Sequence, residues 1–302
     1  MGRITVRRRV VRITAGGRVE RPDSLAVEEP LEIRVDGQQL TVTMRTPGED
    51  IDLALGLLVS EGLIREAHEV QRASYCPGGE EVLEVRLAPG VRPPVLSRSM
   101  LTSSACGVCG VASIDQVRRS APFDLSADRI ELSVAVLCGL PGLLSAGQRV
   151  FAATGGLHAA GLFTSDGQTL VVREDVGRHN AVDKVVGWAL REGRLPGRGL
   201  VLQVSGRASF ELTQKAWMAG IPVLAAVSAP SSLAVDLAVD AGMTLVGFSR
   251  GRSMNVYSAS WRVAETPRAR VAAAPRAVDA PRVPDEAAAP SAAVPDLAQP
   301  RA

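Results

Sequence analysis

Two cysteines spaced Cys106-Gly107-Val108-Cys109 stand among small residues, with Ser103-Ser104-Ala105 before them and Gly110 after, so little bulk covers either sulfur. A helix is expected just beyond, from about Val111 to Arg119. A thiol at a helix N-terminus has its thiolate favoured by the peptide dipoles, which makes either sulfur a nucleophile near neutral pH. Three chemistries compete for the pair. Zinc needs two further soft ligands, and the candidates Cys76, Cys138, His68, His158 and His179 form neither a second Cys-x-x-Cys nor a His-x-x-x-His. A thioredoxin-like dithiol lies close to a chain start after a first strand, whereas this pair lies about a third of the way along. Sulfur transfer needs one exposed thiolate that attacks a persulfide donor, carries R–S–S⁻ on a mobile loop and gives up the outer sulfur. The glycine-flanked loop meets that requirement.

Other polar groups fall in patterns of their own. Gly155-Gly156-Leu157-His158-Ala159-Ala160-Gly161 invites comparison with zinc deaminases, but Ala160 stands where their general-acid glutamate is needed. The cysteine pair also precedes the histidine, and Ala105 rather than proline precedes Cys106, so a zinc-dependent deaminase is a weak alternative. A lone histidine beside glycines reads equally as a hydrogen-bonded turn residue. Arg173 to Asn180 concentrates charge at a helix start where Asn180 and Lys184 share one face and His179 and Asp183 another. Such density points to ligand or partner contact, against the simpler reading of a capped helix with solvated charges.

The elements that must position these groups follow from hydrophobic pattern. Roughly the first 100 residues alternate, as in LEIRVDG and LTVTMRT, with a helix-like stretch from Asp50 to Leu63, and read as an α+β region. From Phe151 to Ser258, apolar strand-like runs alternate with helices expected at His179 to Glu192, Ser209 to Ala219 and Ser231 to Ala241, a pattern that predicts a parallel or mostly parallel sheet. In such sheets the residues after each strand gather at the carboxyl edge beside helix N-termini. Three loops qualify there: Ser205-Gly206-Arg207, Ser228 to Ser232, and Ser249-Arg250-Gly251-Arg252-Ser253. Their small residues and guanidinium forks suit a phosphorylated ligand, although ordinary turns with capping serines and solvated arginines have the same composition. The division is then 1–100, a cysteine loop at 101–110, an α/β domain at 111–262, and a tail at 263–302 that turns to Ala, Pro and Arg from Glu265 and is expected to be disordered.

Composition narrows the class. The chain has 302 residues, 46% hydrophobic and 22% charged, which describes an ordinary globular protein. With aromatic residues at only 3% and a formal net charge of +2, a nucleic-acid stacking platform is a poor expectation. Four unevenly spaced cysteines argue for reduced thiols in the cytosol rather than a secreted disulfide framework. The basic N-terminus alternates like a strand and has no apolar core of a signal peptide, and no run approaches the ~18 apolar residues of a membrane span.

Six ordered segments carry a further signal: RTPGEDIDLALGLLVSEGLI, SSACGVCG, TGGLHAAGLF, EDVGRHNAVDKVVGWAL, SGRASFELTQKAWMAGIPVLAAVSAPSSLAVDLA and GFSRGRSMNVYS. Together they resemble the FdhD family of formate dehydrogenase accessory proteins, from about Val6 to Trp261. The resemblance implies a cytoplasmic sulfurtransferase that takes sulfur from a cysteine desulfurase and passes it to Mo-bis(molybdopterin guanine dinucleotide) for formate dehydrogenase. It implies a persulfide on Cys106, an assisting or resolving role for Cys109, and cofactor contacts at Phe248, Ser249, Arg250, Gly251, Arg252 and Ser253. It further implies a cytidine deaminase-like α/β core with a mixed sheet, no bound metal and a homodimer, with neither nucleic acid nor membrane as a partner. A chaperone that only holds the cofactor is the competing class. Cys76 and the tail fall outside the pattern, and Cys76 and Cys138 are expected to pack as small apolar groups.

Overall fold

A long hairpin opens the fold. Ten-residue strands β1 (Thr5–Thr14) and β2 (Gly17–Ala26) pair, among the described residues, only with each other, in unbroken antiparallel register from Thr5 with Ala26 to Thr14 with Gly17. A computed structural model describes residues 3–79, 81–91 and 123–264 of the chain. The cysteine loop with Cys106 and Cys109, the helix expected from Val111 and the residues after 264 lie outside the described residues.

Next comes a four-stranded sheet of order β4-β3-β6-β5, formed by β3 (Glu29–Val35), β4 (Gln38–Arg45), β5 (Val70–Tyr75) and β6 (Val82–Leu87). Its strands are written in a period of two. Leu31, Ile33 and Val35 of β3 and Leu83, Val85 and Leu87 of β6 are buried on one face, while Glu32, Arg34, Glu84 and Arg86 lie on the other. Helix α1 (Asp50–Ser60) follows β4 and ends three residues before the expected Leu63, at a turn where Gly62 takes a positive φ of 73°. It is buried nearly all round, as its run of apolar residues requires.

A second sheet has six strands in the order β13-β12-β11-β10-β8-β9. These are β8 (His158–Thr164), β9 (Thr169–Asp175), β10 (Leu200–Val204), β11 (Val223–Ala226), β12 (Thr244–Arg250) and β13 (Ser253–Ser258). Only β10, β11 and β12 run parallel; β8, β9 and β13 join antiparallel, so the expected parallel or mostly parallel sheet is a mixed one. The reason lies in the connections. β8 to β9 and β12 to β13 are hairpins, and a short turn can only reverse the chain.

Helices α2 (Val134–Gly147) and α3 (Arg149–Thr154) precede this sheet, and α4 (Arg178–Arg191), α5 (Phe210–Met218) and α6 (Ser232–Asp240) alternate with its strands. Alternate side chains of each strand enter two different cores. Ala160, Leu162, Leu202, Val204, Leu224 and Ala226 join the core that α1, α4, α5 and the four-stranded sheet share. Ala159, Phe163, Val201, Val223 and Ala225 join a smaller one beneath α2. A sheet buried on both faces explains why these strands are continuous apolar runs rather than alternating ones.

Short strands β7 (Leu132–Ser133) and β14 (Val263–Ala264) pair in parallel, so the folded part extends to where the composition changes and includes the first two residues of the 263–302 division. Just before them, buried Arg262 donates to the carbonyls of Leu125, Asp128 and Gly242.

The described residues belong to one compact unit, and its halves meet where α1 crosses α4. A Cβ placed on Gly56 would stand 1.8 Å from the Asp183 carbonyl oxygen, and one on Gly187 would stand 1.8 Å from that of Asp52. Both glycines have ordinary helical φ; they are required by proximity. Gly56→Ala and Gly187→Ala are each expected to lower unfolding free energy by about 3 kcal/mol or more, because helix backbones must separate to admit the methyl group. Gly139→Ala in α2, where a Cβ meets nothing within 4 Å, is expected to be neutral or to stabilise by up to ~1 kcal/mol. Urea unfolding of the three variants checks both directions.

Candidate functional site

Strand direction brings the polar groups together. β10, β11 and β12 end at the same edge of the six-stranded sheet, where the antiparallel β8 begins with His158 and β9 ends with Asp175, its register partner. Helices α4, α5 and α6 start from that edge, so three sets of first-turn N–H groups and three positive dipole ends face one region. Their N-caps are Gly177, Ser209 and Ser231.

Most of the charge between Arg173 and Lys184 is used internally. Buried Asp175 pairs with Lys184 at 2.9 Å and accepts from the N–H groups of Thr46 and Gly177 and from the Asn180 amide. Lys184 also donates to the Thr46 carbonyl. Glu174 accepts from the backbone of Val150 and Phe151 and so caps α3. Arg173 reaches Asp52 of α1 at 3.0 Å. Asp183 accepts from Lys215 of α5 at 2.7 Å and from Ser60 of α1 at 2.7 Å. The density that reads as a contact site is therefore largely a buried lattice tying α4 to α1 and α5. Arg178 and His179 are the part of it left at the edge.

His179 is mostly buried, with Nε2 3.9 Å from a Glu211 carboxylate oxygen in the first turn of α5. That nitrogen has no hydrogen-bond partner among the described residues. Burial, with help from Lys215 and Arg178, lowers its pKa to about 4 against the opposing pull of Glu211. His158 is half-buried and also lowered, by burial and then by Arg178. Burial opposes ionisation of Glu211, yet its own helix N–H, the neighbouring Ser209 side chain and Arg178 outweigh it and hold the carboxyl below its ordinary value. Two neutral imidazoles and one carboxylate thus lie beside cationic groups and open helix ends. His158 stands close to Gly206: a Cβ there would come within 3.7 Å of its Nδ1.

The three strand-end loops lie where the alternation places them, with their side chains in different states. Ser205 accepts from the Ala159 N–H, Ser231 caps α6 by accepting from the Ala234 N–H, and Arg207 is exposed. Phe248 to Ser253 is the tip of the β12–β13 hairpin rather than a loop leading to a helix. Phe248 takes a positive φ of 53° and its N–H donates to the Ser228 carbonyl, joining two of the loops. Ser249 points into the core, fully buried, and donates to the Leu137 carbonyl; Arg250, Gly251, Arg252 and Ser253 are exposed. The side chain of Ser249 is thus engaged inside the protein, and a ligand at this tip would meet the two arginines and Ser253. Glu211 is the residue of this edge that sequence reasoning misses, and its signal is an acid in the first turn of a helix that starts just after Ser-Gly-Arg.

Cys76 and Cys138 are half-buried free thiols. No group of three His, Cys, Asp or Glu side chains is placed to hold a metal ion among the described residues. Among them, no helix is long and apolar enough to cross a membrane.

Comparison with known proteins gives a consistent picture. The model of the FdhD/NarQ family matches residues 26–264. Among curated relatives, a protein named sulfur carrier protein FdhD from Nocardia farcinica is 62% identical over 269 residues, covering 87% of this chain and 96% of that one. One of the same name from Mycobacterium tuberculosis is 54% identical, covering 87% of this chain and 100% of that one. Among solved structures, a putative formate dehydrogenase accessory protein from Desulfotalea psychrophila aligns with TM-score 0.71 and 27% identity, over 87% of this chain and 100% of that one.

The low pKa of His179 has a consequence for stability. The unfolded chain carries an ordinary histidine near 6.5, so between about 6.5 and about 4 it binds a proton that the folded chain refuses. Stability is unaffected by this group above that window and falls as pH drops through it. Urea unfolding is expected to lose on the order of 1 kcal/mol to this group between about pH 7 and pH 5. His179→Gln is expected to flatten that slope; an unchanged slope in the variant would contradict the assignment.

Proposed function

The chain belongs to the FdhD/NarQ family, and on that premise we propose that it is a sulfur carrier serving formate dehydrogenase, loaded as a persulfide on Cys106. The observation that carries the reading is the sheet edge: three helix N-termini, Arg207 and the Arg250-Gly251-Arg252 tip converge on one region beside neutral histidines. Such an edge suits a ligand with several phosphate groups, because helix N–H donors are fixed there before anything binds and exposed arginines supply guanidinium forks.

In the proposed cycle the Cys106 thiolate attacks the outer sulfur of the persulfide on a cysteine desulfurase. The S–S bond of the donor breaks, the donor leaves as a thiolate, and Cys106 carries the sulfur as its own persulfide. Cys109 assists or resolves that species. The acceptor is Mo-bis(molybdopterin guanine dinucleotide), a cargo rather than a resident cofactor, whose guanine dinucleotide arms are held by Arg250 and Arg252 with Gly251, Ser253 and the backbone at Phe248 and Ser249. Arg207 and the N–H groups opening α5 and α6 at Ser209 and Ser232 complete the anion site. The α/β core is assigned a cytidine deaminase-like architecture without its zinc chemistry. Ala160 stands at the position of the general-acid glutamate and is fully buried in the apolar core. The protein is further assigned to the cytoplasm as a homodimer that binds neither nucleic acid nor membrane.

Two measurements test this reading. Intact-mass analysis under non-reducing conditions, after incubation with a cysteine desulfurase and free cysteine, is expected to show a gain of one sulfur atom. The gain should be reversed by dithiothreitol and absent in Cys106→Ser. No gain on a reduced, accessible Cys106 would leave a cofactor-holding chaperone as the better account. Separately, Arg250→Ala and Arg252→Ala are each expected to weaken GDP binding about tenfold, the loss of one charge-assisted hydrogen bond of ~1.4 kcal/mol. Calorimetric titration reads that loss, and equal affinity in both variants would remove the hairpin tip from the site.

A further inference from the structure

The β1–β2 hairpin takes no part in the proposed cycle. It belongs to neither large sheet, and the family match begins only at residue 26, where the hairpin ends. Its base is held: the Val27 N–H donates to the Ile4 carbonyl, and β2 packs against α3. Beyond the base, the ribbon from Val10 to Arg21 is exposed on both faces apart from Val10. A two-stranded ribbon in water is marginal by itself, because neither face is covered. This one nevertheless keeps ten consecutive residue pairs in register.

Its surface is unusual in two respects. Ile13 is 72% exposed and Val19 63%, and Ile4, Val11 and Leu25 are each more than 40% exposed. Between these apolar groups stand seven arginines, Arg3, Arg7, Arg8, Arg9, Arg12, Arg18 and Arg21, against two carboxylates, Glu20 and Asp23. Both carboxylates are already engaged within the ribbon, Glu20 with Arg9 at 3.8 Å and Asp23 with Arg21 at 3.6 Å. Arg7, Arg8, Arg12 and Arg18 have no carboxylate partner among the described residues. The register interleaves the two kinds of group: Arg12 lies opposite Val19 and Ile13 opposite Arg18, so each face near the tip offers an apolar side chain beside a guanidinium.

We propose that this hairpin is a docking arm for a partner protein whose surface is acidic with apolar patches. The excess of unpaired arginine sets the sign of the partner and repels the same arm of a second copy. The exposed Ile13 and Val19 set its class. A phosphate backbone would use the arginines and leave those side chains in water, whereas a protein face covers both, as interfaces combine apolar contact with arginine. The sulfur-carrier reading enters only in the choice of probes, a purified cysteine desulfurase and a purified formate dehydrogenase from the same cell.

The test uses the full chain, with one variant carrying Arg7→Gln, Arg8→Gln, Arg12→Gln and Arg18→Gln together and another carrying Ile13→Ser and Val19→Ser. Binding to each immobilised probe is read by biolayer interferometry at low and high salt. Wild type is expected to bind at least one probe, more weakly as salt rises, and each variant at least tenfold more weakly. Melting temperature and GDP affinity should match wild type, which separates lost docking from lost folding. Equal binding by wild type and variants overturns the proposal, as does failure of wild type to bind either probe. Arm-dependent binding to duplex DNA or to phosphatidylserine vesicles with no arm-dependent binding to either protein, or arm-dependent self-association in sedimentation, assigns the arm elsewhere and also overturns it. Persulfide loading of Cys106 is scored independently by mass, so failure of the carrier reading and failure of the arm are distinguishable.

Discussion

The rest of the structure depends on the contact between α1 and α4 at two glycines. Asp52 and Gly56 lie four apart on α1, and Asp183 and Gly187 lie four apart on α4, so each helix presents a carbonyl to the other's missing side chain. The same two buried aspartates carry their carboxylates into ion pairs, Asp183 with Lys215 and Asp52 with Arg173 and with the half-exposed Arg191. Residues of α1, α4, α5 and β9 are thereby joined through two positions. Such pairs add little net stability once desolvation is counted, but removing one partner leaves an uncompensated buried charge, typically ~3–5 kcal/mol. They define one arrangement of the helices more than they strengthen it. The glycines set how close that arrangement is.

That arrangement determines what lies at the sheet edge. With α4 held at Asp183 and Gly187, its first turn delivers Arg178 and His179 to a fixed place, and α5, held through Lys215, brings Glu211 opposite His179. One cation of the lattice and one at the edge act on the site. Lys215 and Arg178 help to keep the His179 imidazole neutral, so the edge has positive potential from guanidinium groups and helix ends while its histidines remain uncharged. The positive charge is local: it arises from placement in a chain whose formal net charge is only +2.

Much of this is legible in the sequence because the relevant signals are local. The three helices after β9 begin and end within one residue of where caps and apolar period place them, and the strand-end loops are found at one edge because strand–helix alternation requires it. Strand direction is not legible. HAAGLF is an apolar run buried on both faces, and such a run looks alike whichever way it points. The polar density from Arg173 to Lys184 misleads for a related reason. Charge in a sequence does not state whether its partner is a ligand or a residue more than a hundred positions away, as Arg173 and Asp52 are. The burial of Ser249 is hidden because a single residue's side is invisible where strand gives way to turn.

The two cores constrain where chemistry can occur. Both faces of the central strands β8, β10, β11 and β12 are sealed, one by the helices that follow the strands and the other by α2, so a ligand does not reach these strands through a face. The remaining openings are the two ends of the strands. Three helix N-termini gather at one of these, because α4, α5 and α6 each follow a strand that finishes there. At the opposite end the helices present carbonyl groups, which repel anions. A ligand with phosphates therefore has a favourable approach at the end where the N-termini gather, which sheet topology selects before any individual arginine does.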